Sequence, residues 1–300
     1  MDKRFLALLA ATATETIYGI NHTVAKGLMP HVIQPFGFIV VRVGGAAILF
    51  WILSLFSKSE KIDAKDWWRI GACAIFGMVL NMLMFFKGLS LSTPINSAVS
   101  MTITPILLLL LTALILRERI TWIKTFGIFF GLSGALVLIL FQEKVQSNAP
   151  NIPLGNLLFV LNAISYSFYL ILVKPLVSKY KAITLLKYFF LIAFFINLPI
   201  GYSEVIQIQW TQLTYSEMGQ IGFVIVATTF LTYLFNIFAL KQLSPSTVGV
   251  FIYLQPLVAT IFAILVGADT LNALRIGAAS LIFMGVFLST RKAKAKELTS

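Results

Sequence analysis

Long apolar runs dominate the chain and alternate with short segments that carry most of its charge. Each run is roughly 20 residues long, the length that an α-helix needs to cross the hydrocarbon of a bilayer. Tryptophans such as Trp51 and Trp122 lie near the ends of several runs, as is typical of the membrane–water interface. The pattern predicts an all-α integral membrane protein whose ten transmembrane helices lie at about 5–26, 35–56, 69–89, 94–116, 121–141, 155–174, 183–202, 218–240, 245–266 and 271–290.

The composition excludes the soluble alternatives. Of the 300 residues, 59% are hydrophobic and 11% are charged, and the mean hydropathy is +0.92. Soluble proteins are about 45–50% apolar and about 25% charged. So apolar a chain has too little polar surface to form a water-facing globule, which argues against a soluble enzyme and against disorder. The single cysteine, Cys73, cannot form an internal disulfide.

The net charge of +12 reflects basic residues in the short loops rather than a nucleic-acid partner. If ten helices alternate in direction, seventeen of the 23 Lys and Arg residues lie on the side of the N-terminus. By the positive-inside rule, both termini are therefore predicted to be cytoplasmic, and we expect a multi-pass protein of a bacterial inner membrane. The basic residues on the opposite side are Lys26, Lys87, Lys144 and Arg275.

The second half of the chain repeats the first. Residues 88–139 align with 239–290 at an offset of 151, which pairs Pro105 with Pro256. Near the start of each half the offset is 148, and a slightly longer linker explains the difference. Internal repeats of this kind indicate a duplicated architecture.

Each half contains five predicted helices, and an odd number means that the second half enters the membrane in the opposite orientation. Inverted repeats are a recurring plan of secondary transporters. We therefore expect two inverted five-helix repeats at 5–141 and 155–290, followed by a basic cytoplasmic tail at 291–300.

The order of these features resembles the EamA family of the drug/metabolite transporter superfamily. The resemblance covers about residues 5–290 and implies ten helices, a carrier for small metabolites and a central cavity between the two halves. Glutamine stands at Gln255, where the family often has Glu. The features that carry the resemblance are Tyr18-Gly19, Lys26, Arg42, Gly88-Leu89, Pro105, the Arg-Glu-Arg-Ile-Thr segment 117–121, and the second-half counterparts Pro245, Pro256 and Gly285.

The first helix carries a polar stripe that lipid could not satisfy, so the stripe must face protein or water. Its acid, Glu15, lies about 15 Å from the inner end, near the bilayer midplane. Three roles remain open for this carboxylate: binding a cationic group of a substrate, carrying a proton, or acting as the charge partner of Arg42. The stripe consists of Glu15, Tyr18, Gly19, His22 and Lys26.

Polar residues also recur along predicted helices 4, 6, 8 and 9. Each alone could bond to a neighbouring helix, but their coincidence favours a shared polar cavity that holds a small-molecule metabolite. The candidate cavity residues are Glu15, Tyr18, Asn81, Asn96, Tyr166, Asn236, Tyr253 and Gln255.

Two further patterns concern helix geometry. Pro105 and Pro256 fall inside predicted helices 4 and 9, where each bends or breaks its helix, as a hinge or as a static kink. Gly127-x-x-x-Gly131 permits a close helix contact, which leaves a homodimer face open.

Enzyme signals are weak. Gly131-Leu132-Ser133-Gly134 resembles the serine motif of rhomboid-type membrane proteases, but both histidines, His22 and His31, lie upstream of it. The sequence holds no motif for a metal or a nucleotide, so we expect no enzyme activity, no metal and no cofactor. We predict a secondary transporter that exports amino acids or related small metabolites by alternating access. The alternatives are proton-coupled efflux of lipophilic cations through Glu15, a channel, and a membrane scaffold protein that transports nothing.

Overall fold

The computed structural model of the chain is helical, with turns and short loops between the helices. Asn96, the tail at 291–300 and the counterpart loops around 118 and 269 lie outside the described residues. Those residues are 2–29, 31–58, 60–92, 97, 101–117, 120–140, 150–265 and 273–290.

The first half forms helices α1 to α5. Asp2 caps the start of α1 by accepting a hydrogen bond from the Arg4 amide, and Pro35 begins α2, where its missing N–H costs nothing. The third helix contains a π-helical segment, Ile75–Leu80, between two α-helical pieces. The bounds are α1 Lys3–Leu28, α2 Pro35–Leu55, α3 Ala64–Leu91, α4 Thr104–Ile115 and α5 Trp122–Leu140.

The second half forms helices α6 to α10. A capping box at Thr214 and Glu217 fixes the start of α8, which contains a second π-helical segment, Val226–Leu231. Within the described residues, five helices (α2, α3, α6, α7 and α8) are both long and apolar enough to cross a membrane. The bounds are α6 Ile152–Lys179, α7 Ala182–Val205, α8 Tyr215–Gln242, α9 Pro245–Val250 with Phe251–Tyr253 and Leu254–Leu265, and α10 Ala273–Thr290.

The secondary structure repeats with the sequence. The π segments of α3 and α8 begin at Ile75 and Val226, which are related by the offset of 151 that aligns the two halves. The α-helical pieces that follow them, Asn81–Leu91 and Thr232–Gln242, obey the same offset. A π turn adds a residue to the helix and leaves carbonyls without their usual partners. The duplication has therefore preserved an irregular feature as well as the regular helices.

One face of the bundle, which we call the proximal face, contains the start of α1 and the end of α10, because the Arg4 guanidinium donates to the Thr290 carbonyl. The α2–α3 loop meets the α6–α7 corner on this face. There the Lys179 ammonium pairs with Asp63 and, at 2.5 Å, with Asp66.

The opposite, distal face joins the other helix ends. Glu204, near the end of α7, accepts hydrogen bonds from the amides of Phe36 at 2.7 Å and Gly37 at 2.8 Å at the start of α2. The Asn151 amide, just before α6, donates to the Leu91 carbonyl at the end of α3. Consecutive helices therefore cross the bundle in alternating directions.

The packing follows the same repeat. The helix α1 packs on α8 and α9, and its counterpart α6 packs on α3 and α4. The pairs α2–α7 and α5–α10 each join equivalent helices of the two halves. The predicted all-α membrane fold of ten helices in two repeats is confirmed; the assignment of the proximal face to the cytoplasm stays a prediction.

The small-residue motif of α5 is used within the chain. A Cβ atom added at Gly285 of α10 would lie 2.5 Å from the Gly131 amide and 2.6 Å from the Gly127 carbonyl, so only glycine allows this crossing. The motif therefore gives no evidence for a homodimer.

Each of the two prolines follows an irregular turn at an equivalent position of its half. Pro105 is the second residue of α4 and follows the turn at Thr102 and Ile103. Pro256 is the third residue of Leu254–Leu265, after the 3₁₀ turn of α9. Pro256 therefore lies inside α9, as predicted, because the chain is helical from Pro245 onward. The prediction for Pro105 needs correction, because it lies in the first turn of α4, where the missing N–H has no partner to lose. Their role as hinges stays a prediction.

Candidate functional site

A cavity of about 700 Å³, including its opening, lies between the two halves. Its lining runs from the middle of the bundle toward the distal face. Glu15 is about 20 Å from the distal end of α1, whereas His22 is about 9 Å from it and Arg42 about 10 Å from the distal end of α2. Glu15 is also about 18 Å from the proximal end of α1, so the cavity reaches the middle of the bundle.

A hydrogen-bonded chain joins α1 to α9 in this cavity. The Gln255 amide nitrogen donates to the Glu15 carboxylate at 2.5 Å, and its amide oxygen lies 3.2 Å from Nε2 of His22. Gly19, between these two α1 residues, permits the approach, because a Cβ atom there would lie 2.9 Å from Val258. The spacing of the α1 stripe and one glycine thus place the acid and the imidazole on either side of a single amide.

Two tyrosines contribute hydroxyl groups to the middle of the bundle. The hydroxyls of Tyr18 and Thr232 lie 3.2 Å apart. The Asn236 amide donates to the Tyr166 hydroxyl at 3.2 Å. Tyr18 and Tyr166 line the cavity, whereas Asn236 supports Tyr166 from behind.

Arg42 is buried in the cavity wall with 5% of its surface exposed. Its Nε donates to the Thr229 hydroxyl at 3.1 Å, and its guanidinium carbon lies 5.1 Å from the centre of the Phe86 ring. A pairing with Glu15 is one of the three roles that the sequence leaves open for that carboxylate. Among the described residues the two side chains form no ion pair, because Thr229 and Gln255, both from the second half, bind them separately.

Two asparagines bridge α3 and α6. The Asn162 side chain donates to the Asn81 carbonyl at 2.6 Å, and the Asn81 side chain reaches the Asn162 carbonyl at 3.4 Å. This reciprocal pair lies in the cavity wall opposite the α1–α9 chain of hydrogen bonds.

The floor of the cavity is tied across the two halves at the π segment of α3. The Ser165 hydroxyl donates to the Phe76 carbonyl at 2.7 Å, and the Tyr233 hydroxyl donates to the Gly77 carbonyl at 3.0 Å. In the π segment of α8, by contrast, the Thr228 carbonyl accepts from Thr232 of the same helix. Within the described residues, side chains of the second half thus bond to two carbonyls of the first π segment, whereas the Thr228 carbonyl of the second π segment is bonded within its own helix.

Of the predicted cavity residues, Glu15, Tyr18, Asn81, Tyr166 and Gln255 line the cavity. Asn236 lies behind it, and Asn96 lies outside the described residues. Tyr253 instead packs its ring against Gly131 of α5, where a Cβ atom would lie 2.3 Å from the ring.

Several lining residues were not among the predicted set. Asn21 follows the α1 stripe at its edge, and Asn162 and Thr104 belong to polar stripes that the sequence does show. The apolar members give no signal in a membrane sequence, because lipid-facing helices contain the same residue types. These additional lining residues are Asn21, His22, Arg42, Met82, Phe85, Phe86, Met101, Thr104, Asn162, Tyr233 and Ile252.

Metal binding finds no support in the part of the chain that the structure describes. No group of three or more His, Cys, Asp or Glu side chains there is placed to hold an ion. The chemistry available to the cavity is therefore binding by charge, by hydrogen bonds and by apolar contact.

Comparison with known proteins identifies the family to which the chain belongs. The model of the EamA-like transporter family matches residues 5–140 and again 153–291. An uncharacterized transporter of Archaeoglobus fulgidus is 26% identical over 280 residues, which cover 93% of this chain and 96% of that protein.

Two further similarities agree with the family match. The uncharacterized transporter YyaM of Bacillus subtilis is 24% identical over 255 residues, covering 83% of this chain and 82% of that protein. A solved crystal structure superposes with a TM-score of 0.76 at 17% identity, covering 95% of this chain and 96% of the other. At that identity the structure supports the fold alone.

Proposed function

Because the chain belongs to the EamA-like transporter family, and is therefore a multi-pass membrane transporter and not an enzyme, we propose that it exports amino acids or related small metabolites by alternating access. The proposal includes a bacterial inner membrane as its location and a cytoplasmic proximal face. The distribution of basic residues supports the orientation.

One observation carries the proposal: a buried acid and a buried base line one cavity without neutralising each other. Buried charges are costly unless they are paired. A cavity that keeps Glu15 and Arg42 apart, with Gln255 and Thr229 bonded to them, is suited to a ligand that carries charges of its own.

Alternating access is supported by the inverted fold. The cavity lies toward the distal face, and its floor consists of hydrogen bonds between the two halves. In an inverted repeat the two halves can exchange conformations, which moves the opening of the cavity to the other face. The interruptions before Pro105 and Pro256 lie at equivalent positions and are suited to such a movement.

A proteoliposome experiment tests transport. Vesicles that contain the protein and a high concentration of one unlabelled amino acid should accumulate the same labelled amino acid by counterflow. We expect Glu15→Gln to lower this rate at least tenfold, because loss of a buried charge contact costs about 2–5 kcal/mol in binding. Glu217→Gln is the control, since that carboxylate serves the capping box of α8 outside the cavity.

If none of the amino acids in a panel shows counterflow, the proposal is contradicted and a scaffold protein is favoured. Equal rates in the parent protein and Glu15→Gln would remove Glu15 from the mechanism.

Proton-coupled efflux of lipophilic cations is the second candidate. Glu15 is the acid that lines the cavity in the described part of the chain, and the rings of Tyr18, Phe85 and Tyr166 lie around the same space. Aromatic faces attract cations. Uptake of a lipophilic cation that depends on an imposed pH gradient, with no amino-acid counterflow, would support this candidate.

A further inference from the structure

The surroundings of Arg42 leave part of its guanidinium for a ligand. Its Nε is bonded to Thr229 and one face lies over Phe86, yet among the described residues its two terminal nitrogens donate to no acceptor. The side chain is buried and belongs to the cavity lining. A guanidinium edge with two parallel N–H groups matches the two oxygens of a carboxylate.

Glu15 offers the opposite charge in the same cavity. Its carboxylate accepts one hydrogen bond, from Gln255, although a carboxylate has room for about four. In the described structure no ion pair within 4.0 Å involves it, so an ammonium group entering the cavity would find it unneutralised.

The rest of the lining restricts the ligand further. Met82, Phe86, Met101 and Ile252 contribute apolar surface, and the remaining polar groups are uncharged amides and hydroxyls apart from the imidazole of His22. The Nε2 atom of this imidazole lies 3.2 Å from the Gln255 amide oxygen. Apart from Glu15, Arg42 and His22, no acid or base of the described chain lines the cavity, so a carboxylate or ammonium group on the ligand's side chain would find no second Arg or Glu there.

We infer that Arg42 is a specificity-determining residue that binds the carboxylate of a zwitterion, while Glu15 binds its ammonium group and the apolar lining receives an uncharged side chain. The substrate class is that of α-amino acids with apolar side chains. This inference rests on the proposed transport function and assigns the two charges of the cavity to opposite ends of one ligand.

Three ligands with the same isobutyl group separate the two charge contacts: leucine, 3-methylbutylamine, which lacks the carboxylate, and 4-methylpentanoate, which lacks the amine. Binding to the purified protein in detergent is measured by isothermal titration calorimetry. We expect the parent protein to bind leucine about 30-fold or more tightly than either analogue, since each analogue leaves one buried charge unpaired.

The variants then assign the contacts. Arg42→Gln should weaken leucine binding about 30-fold or more and leave 3-methylbutylamine within about threefold of its parent value. Glu15→Gln should weaken leucine binding similarly and spare 4-methylpentanoate. Arg69→Gln is the matched control, because the Arg69 guanidinium also lies over an aromatic ring, 5.0 Å from Trp68, but outside the cavity.

An Arg42→Gln protein that loses leucine and 3-methylbutylamine equally would overturn the inference, and so would a parent protein that does not prefer leucine. If Arg42→Gln does not fold, Arg42→Lys keeps the charge and should still prefer leucine over the amine; loss of that preference would also overturn the inference. If the inference fails in this way but the parent protein still shows amino-acid counterflow, the proposed function is retained. If the parent protein shows no counterflow at all, the proposed function itself is contradicted.

Discussion

Two fully buried tyrosines, Tyr233 and Tyr253, occupy opposite situations in the bundle. The Tyr233 hydroxyl donates to the Gly77 carbonyl in the π segment of α3. The Tyr253 hydroxyl has no partner in the described structure, and its ring packs against Gly131. The first tyrosine therefore joins the two halves through its polar atom, and the second joins α9 to α5 through its ring.

This difference predicts opposite responses to the same substitution. Tyr233→Phe removes a hydrogen bond between helices and should lower the free energy of unfolding by about 0.6–1.7 kcal/mol. Tyr253→Phe removes a buried hydroxyl that has no partner and should leave stability unchanged or raise it. Thermal unfolding of both variants in the same detergent measures the difference. Equal destabilisation of the two variants would mean that the hydrogen bond from Tyr233 to Gly77 does not stabilise the protein.

At the scale of helices, α5 and α10 cross with their backbones in contact. Gly127, Gly131 and Gly285 meet at this crossing. In lipid there is no hydrophobic driving force for two helices to associate, because the lipid tails are as apolar as the side chains. Close van der Waals packing is the main attraction left to such a pair. The contact is symmetric in the repeat, since α5 and α10 are equivalent helices.

A pair of substitutions in α10 isolates this contact. Gly285→Val places a branched side chain against the α5 backbone and should destabilise the protein by about 1–3 kcal/mol or more. Gly277→Val, in the same helix, meets no atom within 4 Å and should not destabilise it. Detergent thermal stability and the yield of monodisperse protein report the outcome. If Gly277→Val were as harmful as Gly285→Val, helix propensity rather than the crossing would be responsible.

The helices themselves could be predicted from the sequence because hydropathy and length decide whether a segment spans a bilayer, and the repeat because Pro105 and Pro256 keep their spacing. The π segments could not, since Ile75–Leu80 differs in no obvious way from an α-helical run. Glu15, Tyr18 and Gln255 line the cavity, and the sequence points to them because polar side chains avoid lipid. Tyr253 packs its ring against Gly131, and the sequence of α9 does not show this contact because Gly131 belongs to another helix.

At the scale of the whole molecule, two exposed serines allow the orientation in the membrane to be measured. Ser178, exposed at the proximal end of α6, and Ser216, exposed at the distal start of α8, mark the two faces. In intact cells an impermeant thiol reagent should label Ser216→Cys but not Ser178→Cys, because the basic residues assign the proximal face to the cytoplasm. The parent protein gives the background, since Cys73 is buried. Labelling of Ser178→Cys alone would reverse the orientation.

The exchange of packing partners between the halves has a consequence for how the protein is made. The principal contacts of α1 are with α8 and α9, those of α5 include α10, and α2 packs along α7. When the first five helices have left the ribosome, the helices that will cover their packing surfaces have not yet been synthesised. Glu15 and Arg42 enter the membrane before Gln255 and Thr229 exist, so during biogenesis the nascent first half must hold its charged residues in lipid, or in the insertion machinery, until the second half arrives to receive them.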